Sequence, residues 1–536
     1  MYYVVGSGPA GIACAHALVD AGREVTILDG GAELEAERDA IRRSAARKPR
    51  TEWTREEVEA LKTKVPASGE IPLKLVHGSD YPYRPAMGAP DIRYGDMKIR
   101  ASYAVGGLSN VWGAVLAPFR EADISDWPVS MADMNDGYAA VLALLPVSAR
   151  QDDLSQFFPM PPSPSALKQS RQIKTFLQSA KNNKMKLDAN GLFVGSARVA
   201  ARAVTDGNAL GCYYCGHCLH GCPRDAIYSS RHSLTKLLES GRVQYRPGLV
   251  VRTLAETSGD VRIEVVGAGG ETSHLEGERV FLGAGTINST AILLRSLGLY
   301  DKPVQFKDAQ YYLFPMLQGR AARRVAEEAL HTLCQGFIEI FDQEISPYTV
   351  HLQIYSYNDH LSEMLDHKLG AMRRLFPRSA LLGRLLLVQG YLHSVHSGSI
   401  VGRLRQTAYG DVFDLEATPN EQTPAKIGQV LAKLRRNAFR LGAFPVSPLL
   451  QITEPGRGFH TGGSFPMAET PGPGKTDPLG RPYGMHRTHV VDASVFPSIP
   501  ATTITLAVMA NAYRIGAAIA RMERDTGNHL IRERHL

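Results

Sequence analysis

Long apolar runs are what this chain most plainly lacks: no eighteen consecutive apolar residues occur in its 536, so a membrane span is not expected. The longest apolar candidate, Ile504 to Ala520, contains Asn511, Tyr513 and Arg514 and reads as a buried helix. A large charge excess is also missing. The net charge is +7, and the lysines and arginines are scattered rather than clustered, which argues against a nucleic-acid partner. One dense basic run, RRSAARKPR from Arg42 to Arg50, reads as a solvated helix end and loop, or as a contact for an acidic surface. Internal repeats and low-complexity tracts are absent. Cysteine is scarce, with six in the chain, four of them within the segment 212–222. The glycine turn described next begins at residue 6 and leaves no room for a charged and then apolar leader, so a cytoplasmic protein is expected.

What is present begins with Met1 to Asp29, a short apolar strand, a glycine-rich turn, an amphipathic helix and a second apolar strand ending on an acid. Gly6 permits a tight turn, Gly8 lets the backbone approach a pyrophosphate, and Gly11 allows helix and strand to pack closely. Phosphates would sit at the helix N-terminus. Asp29, eighteen residues after Gly11, stands where an acid accepts ribose hydroxyls and disfavours a 2′-phosphate. A chain of this length suits two or three domains, some built from discontinuous segments.

After Asp29 a polar stretch runs to about residue 100, helical around Arg55 to Lys64, and reads as an insertion or dimer arm. Then Gly106, Gly107, Ser109 and Asn110, followed by Trp112 and Gly113, form a tight turn able to lie against a flat ring. This GGxSxxWG turn, the D-x-x-x-W-P segment at Asp123, Trp127 and Pro128, the H-x-x-G-[ST]-x-x-M setting of His460 and the D-A-S-x-F-P run at Asp492 together resemble the glucose-methanol-choline (GMC) oxidoreductases, flavoenzymes that oxidise alcohols. The resemblance covers roughly half the chain. It implies an α/β fold: a Rossmann-like FAD-binding domain of residues 1–140, 196–301 and 453–536, and a discontinuous α+β substrate cap of 141–195 and 302–452 on a mainly antiparallel sheet. The cap strands around GFIEIFD, TVHLQIYSYN, LLLVQGYLHS and GSIVGRL alternate with period two, which suits a sheet roofing a pocket, and a helical Arg-rich segment near Asn358 to Arg374 interrupts them. Gln353, Tyr355, Gln389, Tyr391, His393 and Ser394 put hydrogen-bonding groups on those strands, for a hydroxyl-rich substrate or for solvent.

The resemblance also assigns the site. Gly107, Ser109, Asn110, Val251, Ala284, Asp492 and Ala493 become FAD contacts beside Gly6, Gly8, Gly11 and Asp29. His460 becomes the base that takes the alcohol proton, which an imidazole can do near neutral pH. The helix from residue 504 would aim its N-terminus at the flavin. One departure stands out: the usual histidine or asparagine partner of the catalytic histidine falls at Thr503, which can hydrogen-bond but cannot act as a base near pH 7. His486 and His489 are read as loop residues.

The cysteine-rich loop, GCYYCGHCLHGCP, places Cys212, Cys215, Cys218 and Cys222 at C-x2-C-x2-C-x3-C-P spacing. That run carries an iron-sulfur cluster (4Fe-4S or 3Fe-4S) in bacterial ferredoxins, although its fourth cysteine serves a second cluster in some of them. A structural zinc, or thiols without metal, are the other readings. His217 and His220 lie between the cysteines as alternative ligands or solvated loop residues, and Cys14 and Cys334 read as buried thiols. The expectation is therefore an FAD-dependent dehydrogenase that oxidises a hydroxyl of a sugar, glycoside or other alcohol. Its electrons would pass through a cluster to an acceptor protein or quinone, with a homo-oligomer as a further expectation. An oxygen-using oxidase without a cluster, a non-redox flavoprotein and an electron-transfer flavoprotein are the alternatives.

Overall fold

The computed structural model describes residues 1–64, 72–158, 160, 165–363 and 378–533. At its centre, strands Tyr2–Val5, Val25–Leu28, Val243–Arg246, Arg279–Leu282 and Thr488–Val490 form one parallel sheet, Tyr2 lying opposite both Val25 and Arg279. The three innermost strands read YYVV, VTIL and RVFL, almost continuously apolar, because helices cover both faces of such a sheet. Helix Pro9–Asp20 follows the first strand and packs against the C-terminal helix Thr505–Glu533, which also packs on helix Met131–Leu144. Small residues let these helices approach: a Cβ on Gly137 would lie 2.3 Å from the Ala510 carbonyl oxygen.

The segment from Val243 to Glu256 holds two strands, Val243–Arg246 and Leu249–Glu256. Pro247 and Gly248, the latter at φ +74°, turn the chain out of the parallel sheet into strand Leu249–Glu256 of a three-stranded antiparallel meander. A five-stranded sheet runs in the order Thr461–Gly462, Pro303–Asp308, Ser399–Thr407, Gly410–Thr418 and Asp91–Arg93.

The cap is built on a larger antiparallel sheet ordered Ala443–Pro445, Tyr311–Gln318, Leu385–Tyr391, Ser346–Tyr355, Gly336–Asp342 and Leu192–Ser196, with Gln451–Ile452 also joined to the strand from Tyr311. Its alternation has a clear physical outcome. One face, with Ile338, Ile340, Val350, Leu352 and Ile354, forms an apolar core with helices Arg171–Asn182 and Thr423–Arg436. The other face, with Glu339, His351, Gln353 and Tyr355, looks toward the nucleotide-binding half. The architecture is thus the α/β fold with a mainly antiparallel cap. Residues 364–374 of the expected Arg-rich helix lie outside the described residues.

The stretch expected as an arm folds back onto the cysteine-rich loop. Ala45, Trp53 and Leu61, from helices Ala36–Ala46 and Arg55–Leu61 and the turn between them, enclose a small apolar core with Tyr213. Arg42, in the basic run, bonds the Pro223 carbonyl and the Asp225 carboxylate at 2.8 Å each, so this part of the run is structural.

Candidate active site

Two cavities meet at the seam between the halves. The inner one, of about 210 Å³, opens at the carboxyl ends of the parallel strands, where such sheets bind ligands. Gly6, Gly8, Asp29, Gly107, Val251 and Ala284 line it, as do Asp492 and Ala493. Gly8 caps helix Pro9–Asp20 without any side-chain hydrogen bond, and a Cβ there would meet nothing within 4 Å. This is open room before an uncapped helix N-terminus, the setting a diphosphate needs. Gly11 does not line the cavity. A Cβ on it would fall 1.9 Å from the Gly6 carbonyl oxygen, so its role is the close contact of helix and strand. These residues fit an FAD.

The acids at this cavity are already oriented. Asp29 accepts hydrogen bonds from the Ser7 amide at 2.6 Å and the Gly31 amide at 2.8 Å, and Asp492 accepts from the Gly285 amide at 2.9 Å and the Ser494 amide at 3.0 Å. Burial raises both carboxyls, and these amides oppose that shift. Ser109 and Asn110 do not line the inner cavity. Ser109 is buried against Ser229 and Ser230, while the Asn110 amide bonds the Val105 and Gly107 carbonyls at 2.8 Å, so both brace the turn that presents Gly107.

The second cavity, of about 310 Å³, lies beneath the cap sheet and shares Pro9, Leu108, Phe459 and Thr505 with the first. Thr505 begins the C-terminal helix, which places that helix N-terminus at the junction. His460 lines the second cavity, and its Nδ1 is buried without a hydrogen-bond partner. Its ring packs on Tyr391 at 4.7 Å between centroids. Phe459 just before it sits at φ +56°, a conformation costing a non-glycine residue about 1 kcal/mol or more, so the His460 backbone is held by its surroundings. Burial, and then the neighbouring His351, lower the His460 imidazole to about 3 and keep the ring neutral near pH 7. Thr503 lines the same cavity, but its hydroxyl donates to the Val115 carbonyl at 3.1 Å.

Of the six cap groups, Gln353, Tyr355, Gln389 and Tyr391 line this cavity. The other two turn elsewhere: His393 stacks on Tyr348 at 3.7 Å, and Ser394 accepts from the Ile499 amide at 2.9 Å. Two residues escaped the sequence reading. Glu339 and His351 are opposite each other on adjacent strands, both fully buried, with His351 Nδ1 2.7 Å from Glu339 Oε1. His351, Gln353 and Tyr355 share a face by alternation alone, whereas the pairing with Glu339 needs the strand register.

Of the histidines expected in loops, His486 is exposed in one, whereas His217, His220 and His489 are core residues. His217 and His220 are each 2% exposed, and the arm covers them: His217 Nε2 lies 3.2 Å from the Leu61 carbonyl oxygen, and His220 Nδ1 accepts from the Thr63 amide at 2.9 Å. His489 belongs to the parallel sheet and stacks on Phe281 at 5.1 Å.

The four loop cysteines are free thiols, as are the buried Cys14 and Cys334. Burial raises Cys215 to about 11 and Cys222 to about 12, and the neighbouring Cys218 adds to both shifts. Their sulfurs face separate backbone donors: Tyr214 N–H on Cys212 at 3.4 Å, Thr332 N–H on Cys218 at 3.4 Å and Ala226 N–H on Cys222 at 3.3 Å. Among the described residues no three His, Cys, Asp or Glu side chains converge on a position that could hold a metal ion. The expected ligand set of Cys212, Cys215, Cys218 and Cys222 is therefore not assembled as a cage in this structure, and no step is derived through a cluster.

A nucleotide cavity on a Rossmann-type sheet, joined to a sheet-roofed chamber with a neutral histidine at the seam, defines a flavin-dependent oxidoreductase. Comparison with known proteins agrees: residues 426–512 match the family model for GMC oxidoreductase, and residues 4–34 match that for an NAD(P)-binding Rossmann-like domain. The segment 426–512 is thus similar to the C-terminal part of the GMC oxidoreductases. Among solved structures, pyridoxine 4-oxidase from Mesorbium loti is 15% identical with a TM-score of 0.57, covering 96% of this chain and 98% of that one. A formate oxidase variant from Aspergillus oryzae RIB40, from work on FAD modification, is 14% identical with a TM-score of 0.60, covering 98% of each chain. No curated protein sequence matches the chain. Among the described residues no helix is long and apolar enough to cross a membrane.

Proposed function

We propose that this protein is an FAD-dependent oxidase of small hydroxyl-bearing substrates, taking up oxygen and releasing peroxide as an alcohol becomes a carbonyl. The observation that carries the reading is His460, neutral and with a buried unpartnered Nδ1, at the seam of the two cavities. Bound FAD, held by Gly6, Gly8, Asp29, Gly107, Val251, Ala284, Asp492 and Ala493, would supply the two-electron acceptor for the carbinol hydride. The chain's own part is to bind and deprotonate. The unprotonated ring nitrogen of His460 takes the hydroxyl proton, Tyr391 fixes the imidazole plane, and the cap sheet excludes bulk water. Thr503, bonded to Val115, positions the turn before the C-terminal helix and takes no proton. Tyr83, Trp112, Leu219, Leu387 and Phe459 on the cavity wall favour an alcohol with an apolar or aromatic body over a bare sugar. Both solved neighbours are named as oxidases, which supports oxygen as the acceptor.

The cysteine spacing favours a second reading, an internal iron-sulfur relay to an external acceptor, because Leu219 of that loop borders the substrate cavity. A panel of primary and benzylic alcohols, assayed for oxygen uptake and peroxide, separates the two. One peroxide per carbonyl supports the oxidase. Turnover only with artificial one-electron acceptors overturns it in favour of the relay.

A further inference from the structure

On the cavity face of the cap sheet, four buried polar side chains form one hydrogen-bonded line. Tyr355 Oη donates to Gln353 Oε1 at 3.0 Å, Gln353 Nε2 lies 3.3 Å from His351 Nε2, and His351 Nδ1 lies 2.7 Å from Glu339 Oε1. Glu339 and His351 are 0% exposed, and the second Glu339 oxygen is buried with no partner. Strand geometry alone aligns them: residues 351, 353 and 355 alternate onto one face, and Glu339 is the register partner of 351 on the next strand. None of these groups is needed to take the alcohol proton, yet burying a carboxylate and an imidazole is costly, and here the pair stands directly behind side chains that line the cavity.

The chemistry of the donors fixes the direction of the line. A carboxylate only accepts, so His351 Nδ1 carries the hydrogen, and His351 Nε2, which faces the Gln353 amide nitrogen, is the acceptor. That acceptor takes the amide N–H of Gln353, which leaves the Gln353 carbonyl to take the tyrosine hydrogen. Each hydrogen thus points away from the cavity. Tyr355, which lines the cavity, is left presenting oxygen lone pairs to whatever enters. We infer that Tyr355, held by the Glu339–His351–Gln353 line, is an acceptor subsite that selects for a substrate group able to donate a hydrogen bond, a hydroxyl foremost. This deepens the proposed function and rests on its placing the substrate in the second cavity. Tyr355 is the specificity-determining contact; Gln353, His351 and Glu339 are positioning residues.

The test uses two ligands of near-equal size that have no carbinol hydrogen and cannot turn over: phenol, which donates a hydrogen bond, and anisole, which cannot. Binding of each to the FAD-loaded protein is measured by titration calorimetry. Wild type is expected to prefer phenol by about fivefold, the worth of one neutral hydrogen bond. Tyr355→Phe should bring the ratio to about one with anisole affinity unchanged. Glu339→Gln should also bring the ratio to about one, but by strengthening anisole: with the glutamine N–H donating to His351, every hydrogen reverses and the tyrosine O–H turns into the cavity, where the oxygen of either ligand can accept it. The double variant should lose nothing more. A merely structural role for Glu339 would instead weaken both ligands together, and that result overturns the inference. So does a phenol preference that survives Tyr355→Phe. If Glu339→Gln does not fold, Gln353→Leu, which frees the tyrosine hydroxyl to rotate, should cut the preference to about twofold, and an unchanged preference there overturns it equally. Failure of the oxidase reading would show as absent turnover while the phenol preference persists.

Discussion

A ligand in the inner cavity meets a group of glycines, Gly6, Gly8, Gly107, Gly283 and Gly285, which have only main chain to offer, whereas a ligand beneath the cap sheet meets the side chains of Tyr355, Gln353, Gln389, Tyr391 and His460. The first surface is made by local geometry: a strand, a turn and a helix start, each defined within a few neighbouring residues. The second is made by register, where residues far apart in sequence become opposite one another, as Glu339 and His351 do. The first kind of site tolerates change around it but not in its backbone approach. In the second, chemistry can be altered one side chain at a time.

The largest expected departure from that rule tests the chemistry itself. His460→Ala should lower the rate of flavin reduction by alcohol about 10²–10⁴-fold while FAD content stays that of the wild type, read by stopped-flow absorbance. Equal loss of FAD would mean that the two cavities are not separable.

The seam carries a pH dependence. Asp308 is fully buried, its Oδ1 accepts from the Thr461 hydroxyl at 2.8 Å, and its Oδ2 has no partner. Burial raises this carboxyl to about 7. Between the unfolded value near 4 and 7 the folded state holds the extra proton, so the stability from this group is present below pH 4 and lost as pH rises through 7. Asp308→Asn, neutral throughout, should leave stability at pH 4 nearly unchanged and raise it at pH 8 by roughly 4 kcal/mol. Chemical denaturation at the two pH values checks this, and equal gains at both would contradict the assignment.

The backbone side is sharpened by Gly11→Ala. Its new Cβ would lie 1.9 Å from the Gly6 carbonyl oxygen, a main-chain atom that cannot rotate away. The helix must shift, at a cost of about 2 kcal/mol, and bound FAD measured after gel filtration should fall sharply. The smallest effect is expected from Thr503→Val, which strands the Val115 carbonyl, lowers stability by about 1 kcal/mol, and changes the rate of flavin reduction less than about threefold. A loss like that of His460→Ala would instead place the threonine in the proton transfer.

How much of this was legible in the sequence follows the same division. The turn at Gly6, Gly8 and Gly11, the acid at residue 29 and the apolar strands were readable because their physics is local. The cap alternation was readable too, and it marked which residues share a face. The Glu339–His351 pair was not, since nothing in either strand alone says which residue of the next will stand opposite. Ser109 and Asn110 have side chains suited to a cofactor, yet they fold inward to brace the turn, a choice set by Ser229 and Ser230 more than a hundred residues away. The histidines of the cysteine-rich loop looked solvated because the arm that covers them is separated by a long stretch of chain. The cysteine spacing itself was plain, but spacing does not say where the sulfurs point, and here they face separate amides.

The most direct measurement is a count of flavin, iron and acid-labile sulfide per chain in protein purified without oxygen. The prediction is one FAD per chain, reduced by alcohol in wild type and far more slowly in His460→Ala, with iron and sulfide absent. A chain that takes up no flavin even when FAD is supplied would contradict it outright, and iron with sulfide in cluster proportion would replace the oxidase by the relay.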